Sequence, residues 1–381
     1  MTETCDFLII GAGIAGASAA QELSKAGRVI VLERESAPGY HTTGRSAALF
    51  TETYGNRVIR AVTKASRAFM LNPPDGLTDH PILSARGALL IGRADQEKQV
   101  DDAVAEGQRV TPSVRRVDGA EALRIAPVLR EDYVASAVYE PDAMDIDVHA
   151  LHQGYLKLAR SRGTRVLTDA EVTAVRRVGK NWHVDSRAGS FEAPVLVNAA
   201  GAWCDVIGAM AGIRPIGLVP KRRTAFTFDP PAGSNYGGMP MVCCVEEQFY
   251  FKPDAGRFLG SLADETPSEP CDAQPEELDL AMAVDRIETA SKFQIRRFAS
   301  KWAGLRSFVA DKTVVNGMAP DAPGFLWVAG QGGYGIQTSP AMGRIAAAIA
   351  TGSAIPADIL GHGVSAEDLS PARPGIRDKA A

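Results

Sequence analysis

The chain has 381 residues with 41 Lys and Arg against 45 Asp and Glu, a formal charge of −4, and 45% of it is apolar. That balance is ordinary for a globular protein, is long enough for two or three domain-sized units, and gives no basic footprint for nucleic acid. No apolar run reaches the roughly 18 residues a membrane helix needs. The opening Met1 to Ile10 lacks the basic start of a signal peptide, and five cysteines do not make a disulfide framework, so a cytoplasmic location is expected.

Phe7 to Ile10 is a short unbroken apolar run, as in a strand buried on both faces of a parallel sheet. Gly11-Ala12-Gly13-Ile14-Ala15-Gly16 follows directly. Ala17 to Ala26 reads as a helix with Ala19, Leu23 and Ala26 on one face, closed by Gly27 as its C-cap. Arg28 to Leu32 is a second strand, and Glu33 stands at its end. Strand, glycine turn, helix, strand and terminal acid in this order make a dinucleotide-binding unit. Gly11 permits the turn, Gly13 clears room for a pyrophosphate, and Gly16 lets the helix lie close. The helix N-terminus faces the phosphates. Glu33 is placed to accept ribose hydroxyls and would repel a 2′-phosphate, which argues against NADP.

Further along, Asn56 to Met70 reads as a helix, Leu89 to Ile91 as a strand, and Gln96 to Ala105 and His149 to Arg160 as helices. Arg165 to Leu167 is a strand. Glu171 to Arg177 and Trp182 to Asp185 form a hairpin about Gly179-Lys180-Asn181. Pro194 to Asn198 is another buried strand, closed by Ala199-Ala200-Gly201. Antiparallel strands are expected at Thr224 to Phe228, Met241 to Cys244 and Phe249 to Lys252, then a polar loop from Asp264 to Glu277 and a long helix from Leu280 to Ala299. Phe325 to Ala329 is a strand, Gly330 to Gly335 a glycine turn, and Met342 to Ala350 an apolar helix. The tail from Ser370 reads as frayed. No internal repeat is visible.

Three features favour a flavin over a nicotinamide. His41-Thr42-Thr43-Gly44-Arg45-Ser46-Ala47-Ala48 is suited to run beside a long extended cofactor. Ala199 to Gly201 supplies a second small-residue turn. The late Gly330 to Gly335 turn opens a helix whose N–H groups suit the ring end of a flavin. Cys243 and Cys244 are vicinal, which argues against a dithiol flavoprotein and against a zinc site. The pair His149 and His152, one helical turn apart, reads as packing or solvent-facing.

These blocks resemble the D-amino acid oxidase group of FAD enzymes, which includes glycine and sarcosine oxidases. The stretches ERESAPGYHTTGRSAA, LVNAAGAWCD, PKRRTAF, WAGLRSFVAD and QGGYGIQTS resemble the bacterial FAD-dependent D-arginine and D-amino acid dehydrogenases over nearly the whole chain. The resemblance implies an α/β fold: a Rossmann-like FAD-binding domain from residues 1–83, 141–219 and 305–381, and a mainly antiparallel substrate domain from 84–140 and 220–304. It implies that Gly11, Gly13, Ala15, Gly16, Glu33, Arg34, His41, Thr42, Thr43, Gly44, Arg45, Ser46, Ala47, Val172, Ala199 and Gly201 hold FAD. Gly330, Gly333, Tyr334, Gly335, Ile336, Gln337 and Thr338 would close over its flavin end. No cysteine closely follows the QGGYG loop, so attachment is expected to be non-covalent.

It further implies that Arg223, Arg306 and Tyr250 grip the substrate carboxylate, with Tyr54 on a mobile loop and the Gly333 carbonyl orienting the amine. Strand alternation sends only one of Arg222 and Arg223 into a pocket, and the resemblance picks Arg223. Leu49, Thr51, Ala88, Met241 and Cys243 would surround the side chain. Here the sequence departs from the arginine dehydrogenases, which carry an acid where Ala88 stands and a histidine where Leu49 stands. The expected substrate is therefore a neutral or hydrophobic D-amino acid, losing hydride from Cα to flavin N5 and giving an imino acid that hydrolyses to a 2-oxo acid and ammonia. Glu52, Glu246 or Glu247 would supply a relocated acid if the side chain were cationic. Alternatives are a D-arginine dehydrogenase, an enzyme of secondary N-alkyl amino acids, and a non-catalytic flavin-binding subunit. The electron acceptor (quinone, another carrier or oxygen) and the oligomeric state are left open, and no nucleic-acid or membrane partner is expected.

Overall fold

The computed structural model describes residues 2–231 and 236–376. A six-stranded sheet has the order Arg165–Leu167, Val29–Leu32, Phe7–Ile10, Val195–Asn198, Phe325–Ala329 and Val315–Met318. All neighbours are parallel except the last pair. Both faces are covered, which is why these strands read as unbroken apolar runs. Leu8, Ile10, Ile30, Leu32 and Leu196 pack toward a four-stranded sheet of Glu3–Thr4, Gly189–Ala193, Asn181–Ser186 and Val172–Val178. Phe7, Ile9, Val29, Val31 and Val197 pack under the helices Ile14–Leu23 and Gly335–Ala350.

A nine-stranded sheet runs Thr266–Pro267, Val219–Phe228, Arg257–Ser261, Tyr250–Asp254, Met241–Cys244, Ala88–Gly92, Ser136–Glu140 and Arg115–Asp118, with Ser300–Phe308 also paired to Val219–Phe228. It is antiparallel except between Met241–Cys244 and Ala88–Gly92. One face packs Phe226, Val242, Phe251, Phe258 and Leu89 against Leu280 and Ile287 of the helix Glu277–Ala290. The other face, reached by alternation along each strand, carries Arg223, Tyr250, Cys243, Met241 and Ala88. The small strands Leu49–Phe50, Met144–Ile146 and Leu83–Ala85 form a fourth, separate sheet. The expected domain limits between 83 and 84 and between 304 and 305 each fall inside a continuous strand, Leu83–Ala85 and Ser300–Phe308.

Several expected ends move for identifiable reasons. The first helix spans Ile14–Leu23 and ends at Ser24, whose hydroxyl donates to the Gln21 carbonyl. Gly27 is not a left-handed cap. A Cβ there would lie 2.7 Å from the Asp6 carboxylate, which accepts from the Arg28 amide, so close approach is what excludes a side chain. The helix expected to reach Ala299 ends at Ala290. Ser291 turns extended, its hydroxyl donates to the Ile287 carbonyl, and Phe293 is buried in the aromatic core. The following Ser300–Phe308 is a strand. The last long helix begins at Gly335, not Met342, and runs through Pro340. The Ile336 carbonyl that Pro340 leaves without an amide partner accepts from the Ser339 hydroxyl at 2.9 Å. The helix after Gln96 extends to Val110. The tail is anchored as far as Ile376: Ile376 is buried and Arg373 pairs with Asp311 at 2.7 Å. The remainder of that tail lies outside the described residues.

Two contacts build the first glycine turn from beneath. A Cβ on Gly16 would sit 1.8 Å from the Gly11 carbonyl oxygen, so the helix touches the turn backbone to backbone. His152 is no solvent feature. It is buried, its Nε2 lies 2.8 Å from the Ala12 carbonyl oxygen, and its ring would meet a Cβ on Gly39 at 3.0 Å. Burial lowers the His152 pKa. The neutral ring donates to Ala12, and the unfolded chain takes up a proton below about pH 6.5 that the folded chain refuses. The folded state therefore loses stability as pH falls through that range.

Gly16→Ala is expected to destabilise the protein by at least about 2 kcal/mol in chemical denaturation, because a backbone atom blocks the added carbon. His152→Gln is expected to flatten the fall in melting temperature between pH 8 and pH 5; an unchanged slope would remove His152 as its source.

Candidate cofactor and substrate site

Gly11 has φ +98°, and a Cβ there would lie 2.4 Å from the Ala199 carbonyl oxygen, so only glycine lets the two small-residue turns meet. The Ala12 amide donates to Glu33 Oε2 at 2.8 Å, and the Ile14 amide to Thr43 Oγ1 at 2.9 Å. Glu33 Oε1 accepts from the Glu35 amide at 3.0 Å. Burial raises the Glu33 pKa, and these two donors oppose the shift. The carboxylate thus fixes the turn while still lining the cavity beside it. A carboxylate has about four lone-pair sites, so acceptor capacity for a ribose remains.

Two cavities share Gly13, Thr42, Thr43, Ala199, Gly201 and Ala202, and so form one trough. The first end is lined by Gly11, Glu33, Arg34, His41 and Val172, and the second by Ala15, Arg45, Ser46, Ala47, Gly330, Gly333, Gly335 and Ile336. Gly16, Gly44, Tyr334, Gln337 and Thr338 line neither cavity and act from behind. A Cβ on Gly44 would meet the Gly39 carbonyl at 2.8 Å. Gln337 brackets the Thr51 backbone, with its Oε1 on the amide and its Nε2 on the carbonyl, both at 3.3 Å. The Thr338 hydroxyl donates to the Tyr334 carbonyl.

Arg45 contributes to the wall, but its guanidinium is committed elsewhere. It donates to the Ala303 carbonyl at 2.7 Å and the Ala273 carbonyl at 3.1 Å, and it pairs with Asp272 at 2.5 Å. Tyr40 also reaches Asp272, at 3.3 Å. The 271–273 segment is therefore latched to the cofactor segment. Sequence reasoning missed Trp203, which lines the first cavity with the Arg34 guanidinium 4.7 Å from its ring centroid and His41 against it at 4.9 Å. A tryptophan directly after the small-residue turn was the available signal.

At the far end of the trough stand Arg223, Tyr250 and Arg306. The two arginines lie on paired strands, with Arg223 opposite Gly304 and Arg306 opposite Lys221. Arg222 points the other way and pairs with Asp279 at 2.9 Å. Arg223 Nε donates to the Asp264 carbonyl at 2.8 Å, and Glu265 lies 3.6 Å from its guanidinium. Desolvation and the Arg306 charge lower the Arg223 pKa. Arg306 donates to the Tyr54 hydroxyl at 3.4 Å. A Cβ on Gly333 would lie 3.0 Å from Arg306 Nη1 and 3.1 Å from the Tyr54 hydroxyl, so the clamp and the glycine turn converge. Burial raises the Tyr54 pKa against the pull of Arg306 and Arg223, which keeps the phenol protonated.

Leu49, Thr51, Ala88, Met241 and Cys243 line neither cavity. Register places Cys243 opposite Tyr250 and Met241 opposite Ala88, so these three continue the face that carries Arg223 and Tyr250. Leu49 is opposite Asp145 in the small sheet. Of the acids considered for a cationic side chain, Glu52 pairs with Arg67 at 3.0 Å and Glu246 with Arg93 at 3.6 Å. Glu247 instead acts electrostatically on Tyr54 and Cys243. Cys5, Cys204 and Cys244 are buried, Cys243 half-buried and Cys271 exposed.

The trough's length, its glycine turns where backbone contact leaves no room for a Cβ, and its helix N-terminus fit a dinucleotide carrying a flavin. Among the described residues no helix is long and apolar enough to cross a membrane. Comparison with known proteins agrees. The hydrogen cyanide synthase subunit HcnC of Pseudomonas aeruginosa is 26% identical over 94% of this chain and 95% of its own length. Glycine oxidase of Geobacillus kaustophilus is 22% identical over 91% of this chain and 93% of its own. Its crystal structure superposes with a TM-score of 0.81 over 93% of this chain and 96% of that chain. L-proline dehydrogenase from P. horikoshii shares the fold with a TM-score of 0.83 at 22% identity, over 97% and 98% of the two chains. Residues 6–349 match the DAO family, FAD dependent oxidoreductase, and with nearly the whole length covered this chain belongs to that family and takes FAD as its cofactor.

Proposed function

We propose that the chain oxidises the Cα–N bond of an α-amino acid, preferring neutral or hydrophobic D-amino acids, as the D-amino acid dehydrogenases do. The observation that carries this reading is the convergence of Arg223, Arg306, Tyr54 and Tyr250 beside Gly333. Two guanidinium groups facing one pocket repel each other, and a carboxylate between them removes that cost while accepting their paired donors. When bound, FAD supplies the two-electron, one-hydride acceptor. The residues of the chain hold the substrate. The arginines and Tyr250 fix the carboxylate, which leaves Cα over the trough; the Gly333 carbonyl accepts from the amine. Fixing the reacting atoms in this way is an entropic contribution to the rate. The product imino acid adds water and releases ammonia, leaving the 2-oxo acid.

The side-chain preference rests on Ala88, Met241 and Cys243, which give the continuing face an apolar, soft surface. A cationic side chain is the second reading, and the position of Glu247 near Tyr54 and Cys243 is what favours it. Among the described residues no imidazole lines the cavity that holds the two arginines: His41 is bound to Glu35 at 2.9 Å beside the other cavity, and His152 serves the fold. The amine is then taken up neutral from solution.

Anaerobic mixing with single amino acids of either hand should bleach the flavin fastest with neutral D-enantiomers. Higher kcat/KM for D-arginine, abolished by Glu247→Gln, would establish the cationic reading, and faster reaction of N-methylated substrates would establish the secondary-amine one. A flavin that no amino acid reduces would leave a non-catalytic subunit. Arg306→Ala should raise KM at least about 30-fold, since truncating one partner of a buried charged contact costs about 2–5 kcal/mol. The kcat/KM profile should rise with pH to a plateau set by the substrate amine; a bell that one side-chain substitution collapses would show a dedicated acid or base.

A further inference from the structure

We propose that Glu140 is the positioning residue that holds the Thr51–Tyr54 segment, and with it the Tyr54 hydroxyl, at the carboxylate clamp. This rests on the reading of Tyr54 and Arg306 as part of that clamp. Residues 51–56 form neither helix nor strand. They connect the strand Leu49–Phe50 to the helix Arg57–Leu71, whose N-cap is Asn56. Gln337 brackets the segment at Thr51 only. Glu52 pairs with Arg67 and Asn56 donates to Thr313, while the hydroxyls of Thr51 and Thr53 are held by a side chain from another sheet.

Glu140 ends the strand Ser136–Glu140 and is 4% exposed. Its Oε2 accepts from Thr51 Oγ1 at 2.8 Å and from Thr53 Oγ1 at 2.6 Å. The Glu52 backbone amide also favours the charged carboxylate. Three consecutive residues thus converge on one buried acid, and Tyr54 is the next residue. Burial works against the carboxylate charge and all three contacts support it. Bonds to a charged acceptor are the stronger kind. Two hydroxyls donating to one buried carboxylate, in a segment without regular structure, fix the backbone that delivers the Tyr54 hydroxyl to Arg306.

The position of Glu140 also explains why it is a brace rather than a partner for substrate. It lies directly opposite Ala88, in the row that continues to Met241. It is therefore the one acid in that row, one strand away from where the arginine dehydrogenases carry theirs. Its Oε2 already holds two protein hydroxyls. The neighbouring charges are spent as well: Lys252 and Arg86 both pair with Asp145, at 2.8 and 2.6 Å. The charges in this part of the floor are neutralised internally, which agrees with a neutral side chain in the substrate.

The test uses the flavin-loaded protein. Amide hydrogen exchange over residues 49–56 is compared for wild type, Glu140→Gln, Thr53→Val and the double variant, with kcat and KM for D-leucine. Each single variant should speed exchange at Glu52 to Tyr54 about tenfold. The double variant should go no further than Glu140→Gln alone, because both remove one shared interaction. KM should rise about tenfold while kcat changes less than about twofold. Unchanged exchange, strictly additive effects, or equal loosening of the helix Arg57–Leu71 would each overturn the assignment. Should Glu140→Gln fail to fold, Thr53→Val decides by the same exchange criterion. If D-leucine and other amino acids leave the wild-type flavin oxidised, the substrate reading fails, and the exchange data still decide the role of Glu140.

Discussion

The site depends on the seam where the strand Ser300–Phe308 meets the cofactor trough. That strand belongs to the antiparallel sheet, yet it is stitched to both flanks of the trough. The Thr42 hydroxyl donates to the Leu305 carbonyl at 2.7 Å, Arg45 donates to the Ala303 carbonyl, and Trp302 Nε1 donates to the Arg45 carbonyl at 3.2 Å. On the other side the Gly332 amide donates to the Ser307 carbonyl at 2.9 Å, and a Cβ on Gly332 would lie 2.4 Å from the Phe308 ring. Arg306 is carried between these two sets of bonds. Its placement against Gly333 is a result of hydrogen bonds along the strand on either side of it.

The same seam explains the division of labour. The parallel sheet is apolar on both faces and supplies glycine turns with amide donors. The antiparallel sheet can differ between its faces, so it packs an aromatic core behind and presents arginine, tyrosine and cysteine in front. Neither sheet carries the clamp and the trough together. Chemistry on a substrate with an anionic head needs both, and the hydrogen bonds of a single strand join them.

What the sequence disclosed follows from distance along the chain. The dinucleotide turn was legible because Gly11, Gly13, Gly16 and Glu33 act within one covalently local unit. Arg223 and Arg306 were legible through strand alternation combined with family likeness. The helix end at Ala290 was not, because Phe293 leaves the helix for contacts with Phe228, Phe251 and Phe258, and local propensity does not record them. Glu140 and His152 were invisible for the same reason: their partners are 87 and 140 residues away or more. The tail beyond Ser370 looked unstructured because its anchors, Arg373 and Ile376, are isolated residues rather than an apolar pattern.

The order of the six strands has one more consequence. Phe325–Ala329 is the fifth of the six strands, between Val195–Asn198 and the edge strand Val315–Met318. During synthesis the dinucleotide turn leaves the ribosome first, but the strand that completes the sheet behind it, and the glycine turn that ends that strand, leave some 300 residues later. The two glycine turns of the trough are therefore made far apart in time, and the second joins the first only once Phe325–Ala329 has been made.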